Sequence, residues 1–176
     1  HDAGETHAHD PVRNGFNLRH AEVGLSARVD PYFQAWTTIA AGRSSSEVEE
    51  AVLQTSSLPY GFTLSAGRFF SSIGRINRQH SHDWDFLDAP LVYELMFGPH
   101  RLRDTGVQAT WQAPTPFHLL LGAEAFQGEN EKMFQSVTAN VLPSRKGPRL
   151  WTGFVKFGPS LGERHTLQAG LSYAAG

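Results

Sequence analysis

The chain has 176 residues, net charge −2, 40% hydrophobic, 11% aromatic and 18% charged residues, with 17 Gly, 10 Pro and no Cys. The absence of cysteine excludes a disulfide scaffold, and an isoelectric point near 6.5 gives no general electrostatic case for nucleic acid. No apolar run approaches the roughly 18 residues of a transmembrane helix, and mean hydropathy is −0.34. The chain opens on His1 with no signal peptide, so an upstream segment is expected to have been removed or not included.

Alternation at period 2, the mark of a strand with two unlike faces, dominates the sequence. Ala21, Val23, Leu25, Ala27 and Val29 oppose His20, Glu22, Gly24, Ser26 and Arg28, and Asp30-Pro31 turns the chain. Phe33, Ala35, Thr37, Ile39 and Ala41 form one side of a second run. A third, weaker run covers 48–56, with Ala51, Leu53 and Thr55 against Glu50, Val52 and Gln54. After Leu58-Pro59-Tyr60-Gly61, Phe62, Leu64 and Ala66 alternate with Thr63, Ser65 and Gly67. Thr105, Val107, Ala109 and Trp111 oppose Gly106, Gln108, Thr110 and Gln112, and a turn follows at Ala113-Pro114-Thr115-Pro116. Phe117, Leu119, Leu121, Ala123 and Ala125 then oppose His118, Leu120, Gly122, Glu124 and Phe126. Trp151, Gly153, Val155 and Phe157 alternate with Thr152, Phe154 and Lys156. Finally Leu167, Ala169, Leu171 and Tyr173 alternate with Gln168, Gly170 and Ser172.

Eight strands of about 8 to 11 residues suit a tilted crossing of a bilayer. The links 1–2, 3–4, 5–6 and 7–8 read as short turns. Links 2–3, 4–5 (about 72–103) and 6–7 (about 127–150) read as longer. Short periplasmic turns opposite long external loops characterise outer-membrane barrels. The expected fold is therefore all-β, an antiparallel up-and-down transmembrane β-barrel. Residues 15–176 supply about eight strands, after a His/Asp-rich external loop at 1–14. Phe33, Phe62, Trp111, Phe117, Phe157 and Tyr173 are expected at the short-turn side as an interfacial girdle. The polar face, expected to line a hydrated pore, carries His20, Glu22, Arg28, Glu50, Gln108, Glu124, Lys156 and Gln168. A soluble antiparallel sheet or lipocalin-like barrel with one solvated face is the alternative.

With short turns in the periplasm, the first strand runs downward and the eighth ends outside. Both termini of such barrels are normally periplasmic, so a strand is expected before His1 and another after Gly176, as part of a larger barrel. A complete eight-strand barrel would need inverted topology or a hidden strand in Met133–Leu142.

Val48-Glu49-Glu50-Ala51, Leu58 through Phe70 (LPYGFTLSAGRFF) and Gly74-Arg75-Ile76-Asn77 resemble the phosphate-selective porin superfamily. Asn77 through Tyr93 (NRQHSHDWDFLDAPLVY) and Leu102 through Gln108 (LRDTGVQ) are similar to the subgroup described as zinc-regulated outer-membrane receptor-like proteins. The resemblance covers most of 15–128 and implies a barrel of around 16 strands or more. It does not carry phosphate selectivity, because the dense lysine ladder of those porins is missing.

His1-Asp2 with His7-Ala8-His9-Asp10 is either a weak metal-binding loop or a polar loop whose imidazoles titrate near neutrality. Gln79-His80-Ser81-His82-Asp83-Trp84-Asp85 lies in the longest loop. There His80, His82, Asp83 and Asp85 either help to constrict the pore, hold a divalent cation, or bond their own backbone while Trp84, Phe86 and Leu87 anchor the loop. Arg68, Arg75, Arg78, Arg101 and Arg103 flank that loop and face either the pore or lipopolysaccharide phosphates. Arg68 breaks the alternation, and a β-bulge near Gly67 is expected to return it to the pore. No nucleophile elbow or metalloprotease spacing is present, and neither an enzyme nor a cofactor is expected.

These patterns predict a porin-like channel for passive diffusion of small hydrophilic solutes or ions in the bacterial outer membrane. The expected partners are outer-membrane lipid and lipopolysaccharide, with a homo-oligomer or a periplasmic partner also open. The rival is a non-conducting barrel that houses a partner such as a cytochrome or lipoprotein.

Overall fold

A computed structural model describes residues 20–42, 46–79, 90–98, 101–130, 147–162 and 165–176. Eight strands form a single antiparallel sheet: β1 (His20–Arg28), β2 (Phe33–Gly42), β3 (Ser46–Thr55), β4 (Phe62–Phe70), β5 (Arg103–Gln112), β6 (His118–Phe126), β7 (Leu150–Gly158) and β8 (Ala169–Ala175). Among the described residues each strand pairs only with its sequence neighbours, the up-and-down order, and the sheet does not close on itself.

The register keeps the two faces apart. Leu64, Ala109 and Ala123 pair in one row, and Ser65, Gln108, Glu124 and Thr152 in the next. One face therefore carries Val23, Leu25, Leu53, Phe62, Leu64, Val107, Trp151, Val155, Leu171 and Tyr173, all exposed. Leu25 is 61% exposed and Leu171 77%, so neither packs under a helix or a second sheet. With strands of nine or ten residues in most of the sheet, a rise of about 3.3 Å and a tilt near 40° would give this apolar face a height of about 25 Å.

The loop lengths depart from strict alternation. Residues 43–45 alone join β2 to β3, whereas 159–168 join β7 to β8. The third strand begins at Ser46, two residues ahead of the run expected over 48–56, so Glu47 lies within it. A register shift at Thr38/Ile39, where Thr38 meets Glu50 and Ile39 meets Val48, makes Glu49 the extra residue. The two long connections, 71–102 and 127–149, do lie at the same end of the sheet. Tyr173 is also relocated. It pairs with Gly153, in mid-strand, rather than at the short-turn end.

Residues after β4 fold back over the polar side of the sheet. They include a 3-10 turn at Ile76–Arg78 and a short helix, α1 (Leu91–Phe97). Ile73, Phe97 and Leu102 from this connection pack with Val52, Phe69, Phe126 and Leu150, and with partly buried Trp36, Tyr93 and Ala174. Those sheet residues occupy the polar-face register. The expected water-lined surface is thus replaced, at its long-loop end, by a dry core. The physical cause is burial of bulky apolar side chains, each worth about 1.5–3 kcal/mol.

Candidate functional site

The site is the inner face together with the loop that lies on it. A polar ladder crosses the face. Gln34 Nε2 donates to Gln54 Oε1 at 2.6 Å, and Gln54 Nε2 donates to Ser65 Oγ at 2.9 Å. Gln108 Nε2 donates to Glu124 Oε1 at 2.6 Å and to Ser72 Oγ at 2.9 Å. These side chains line up because antiparallel pairing sets residues of one row about 5 Å apart.

Glu124 ties the loop to the wall. Its carboxylate accepts hydrogen bonds from the Ser71 and Thr152 hydroxyls, from Gln108, and from the Ser72 backbone N–H at 2.8 Å. At 2% exposure it is among the most buried polar groups. Four donors compensate a desolvated carboxylate that has no direct ion pair among the described residues. Beyond it, the Gly74 N–H donates to Ser172 Oγ at 3.0 Å, so the loop reaches from β4 across to β8.

Asn77 closes the loop's base. It is fully buried, its Nδ2 donates to the Ser71 and Leu102 carbonyls, and its Oδ1 accepts from the Leu102 N–H at 2.9 Å. Asp104, also buried, accepts from the backbone N–H groups of Gly128 and Glu129 at 2.8 Å each, which fixes the start of the second long connection.

A charged cluster borders the core. Arg103 Nη2 bonds Glu47, its Nη1 lies 3.6 Å from Glu49, and Arg68 Nη2 lies 3.3 Å from Glu47. The Phe70 ring sits under two guanidiniums, with Arg101 4.1 Å and Arg103 5.4 Å from its centroid. Arg101 also donates to the Asn77 and Gln79 carbonyls. Burial lowers the pKa of Arg101, and the nearby Glu49 carboxylate opposes that shift. Burial likewise raises the Tyr93 phenol above its ordinary value.

The residues expected to line a pore divide into groups. Glu22 and Arg28 lie on the inner register of β1 and are exposed, and His20 opens that strand. Glu50 pairs with Thr38 on the inner register. Lys156 is on the same face with its ammonium 5.3 Å from the Phe154 ring, and Gln168 is exposed just before β8. Gln108 and Glu124 are on the expected face but buried, and they bond the loop residues Ser71 and Ser72. Arg68 shares a row with Ala51 and Thr105 through unbroken register, so the expected bulge at Gly67 is not formed; the shift lies at Glu49 instead. Gly67 adopts φ +134°, and a Cβ there would stand 2.0 Å from the Ala51 carbonyl oxygen. Close backbone approach, not a bulge, therefore requires this glycine.

Of the loop residues, Arg75 is exposed before the 3-10 turn, and Arg78 Nη1 lies 3.4 Å from Ser72 Oγ. His80, His82, Asp83 and Asp85 lie outside the described residues, as do His1, Asp2, His7, His9, Asp10 and Met133–Leu142. Among the described residues no group of three or more His, Cys, Asp or Glu is placed to hold a metal ion. The bonding roles of Ser71, Ser72, Asn77 and Thr152 escaped sequence reading: alternation puts Thr152 on the polar face without showing what it bonds, and the other three lie outside any alternating run.

Comparison with curated proteins finds an uncharacterized protein of Aquifex aeolicus (strain VF5), 45% identical over 178 residues. That alignment takes in 98% of this chain and 38% of the relative, so the chain spans well under half of the relative's length. No family model and no solved structure matches the chain.

Proposed function

We propose that this chain forms part of an outer-membrane β-barrel that passes small hydrophilic solutes or ions, with the described parts of the β4–β5 connection, residues 71–79 and α1, folded inward as its constriction. The observation that carries the reading is the row of large apolar side chains left exposed on one face while the opposite face is polar and partly covered by the chain's own loop. In water such a face is an aggregation hazard; against lipid it is the stable arrangement. The aromatics support it. Phe62 stacks on Trp111 with centroids 6.3 Å apart, Trp111 Nε1 donates to the Tyr60 carbonyl, and Phe117 meets Phe157 edge-on, all at the short-turn end. Trp151 stands 57% exposed at the other end. An aromatic cluster at one end and an exposed indole at the other fit the two interfaces of a bilayer.

The sheet's edges at β1 and β8 need partners, because unpaired strand edges are not tolerated in hydrocarbon. A larger barrel supplies them, in keeping with the longer relative and with the resemblance to the phosphate-selective porin superfamily. Selectivity then follows from the Gln, Ser and Thr ladder and from the charges Glu22, Arg28, Glu50, Arg78 and Lys156 around the loop.

One observation favours a second reading, a barrel whose hollow is occupied. The side of α1 away from the core carries Leu91 and Leu95, 68% and 66% exposed, with Val92 and Met96. Apolar groups there suit a packed occupant better than water. Conductance of the full-length protein in planar bilayers separates the two. Stepwise ion currents support the channel; normal insertion without current supports the occupied barrel.

A further inference from the structure

The lipid-facing side is interrupted by a notch of about 530 Å³ at the long-loop end of β5 and β6. Val107 and Ala125, paired in register, lie along its floor, Thr105 and Gln127 continue that face, and Pro148 and Arg149 form its wall. The stem of Arg149 is fixed twice. Its backbone N–H donates to the Phe126 carbonyl at 3.0 Å, and its Nε donates to the Gln127 carbonyl at 3.1 Å. Its Nη1 and Nη2 have no partner among the described residues. Trp151, paired with Ala125, follows two residues later on the same face.

We propose that this notch seats the phosphate of a membrane lipid, with the Arg149 guanidinium as its anchor. Arg149 presents the planar donor fork that binds phosphate through two parallel hydrogen bonds, held in place before the ligand arrives. Val107, 55% exposed, continues the apolar band and gives an acyl chain a surface that a free anion would not use. The Trp151 indole marks the headgroup level. The site rests on the membrane reading above and adds to it a defined lipid position.

The test uses the full-length protein in detergent, titrated with lipid A bearing its phosphates, with dephosphorylated lipid A, and with inorganic phosphate. Bound lipid is counted by native mass spectrometry. Wild type should retain phosphorylated lipid A, and Arg149→Gln should bind it about tenfold more weakly, equivalent to about 1.4 kcal/mol. Both should bind the dephosphorylated lipid equally weakly. Arg149→Lys keeps the charge without the fork; a loss of about threefold is expected, and it carries the comparison should Arg149→Gln not insert. Unchanged lipid A binding in the variants overturns the site, and so does equal competition by inorganic phosphate. Insertion into phospholipid vesicles is scored separately. Wild type that inserts while the variants bind normally removes only the lipid site; wild type that never inserts removes the membrane reading as well.

Discussion

The Ser71 hydroxyl, just past the end of β4, donates to the carboxylate of Glu124 two strands away on β6. That bond, with those from Ser72, Gln108 and Thr152, fastens a long connection to the polar face of the sheet. Glu124→Ala should leave several buried donors unsatisfied and destabilise the loop by roughly 2–4 kcal/mol. Limited trypsinolysis checks this, since exposed Arg75 and Arg78 lie on the same segment. Cleavage after both should accelerate in the variant. Glu124→Gln should also weaken the latch, because its amide nitrogen would face donors. Wild-type protease resistance in both variants would show that Glu124 does not hold the loop.

Tyr93 gives the loop a pH limit. Its phenol is raised by burial, so the folded loop favours the neutral form. The stabilisation is complete below the unfolded tyrosine value of about 10 and is lost as pH rises through the higher folded value. Subtracting the 295 nm titration of Tyr93→Phe from that of wild type should isolate one phenol titrating above pH 10. Loop protection should fall over the same range in wild type and less so in the variant. A difference curve centred at or below pH 10 would contradict the burial of Tyr93.

Neighbouring substitutions on β4 separate membrane from water. Leu64 is 49% exposed on the apolar face, while Thr63 shares the polar row with Thr110. Leu64→Arg should cost about 2–4 kcal/mol in vesicle-embedded protein, the price of a mid-bilayer cation. Thr63→Arg should cost clearly less and change ion conductance instead. Urea unfolding in vesicles measures the first, and single-channel recording the second. A soluble sheet would tolerate both alike.

Much of this arrangement was legible in the chain because period-2 alternation is a property of the backbone itself. It placed every one of the eight strands and sorted Leu64 from Ser65 and Val107 from Gln108 correctly by face. It did not reveal the dry core, although Val52, Phe126 and Leu150 were bulky apolar residues on a nominally polar face at the loop end. Alternation says which side a residue takes, not what covers it. The partners of Glu47 and Glu49 were hidden for a related reason. Their carboxylates find Arg68 and Arg103, supplied by β4 and β5, and long-range pairing of that kind has no local signature.

Which medium touches each face of the sheet is directly measurable, because the chain has no cysteine. Single cysteines at Thr105, Val107, Gln108, Ala109, Thr110 and Trp111 on β5 can be spin-labelled in the full-length protein reconstituted into vesicles. Oxygen and a water-soluble nickel chelate then compete for each label. Lipid on one face predicts oxygen-favoured relaxation at Thr105, Val107, Ala109 and Trp111, alternating with low oxygen exposure at Gln108 and Thr110. Nickel-favoured relaxation at Val107 and Ala109 would put water where lipid is required and contradict it.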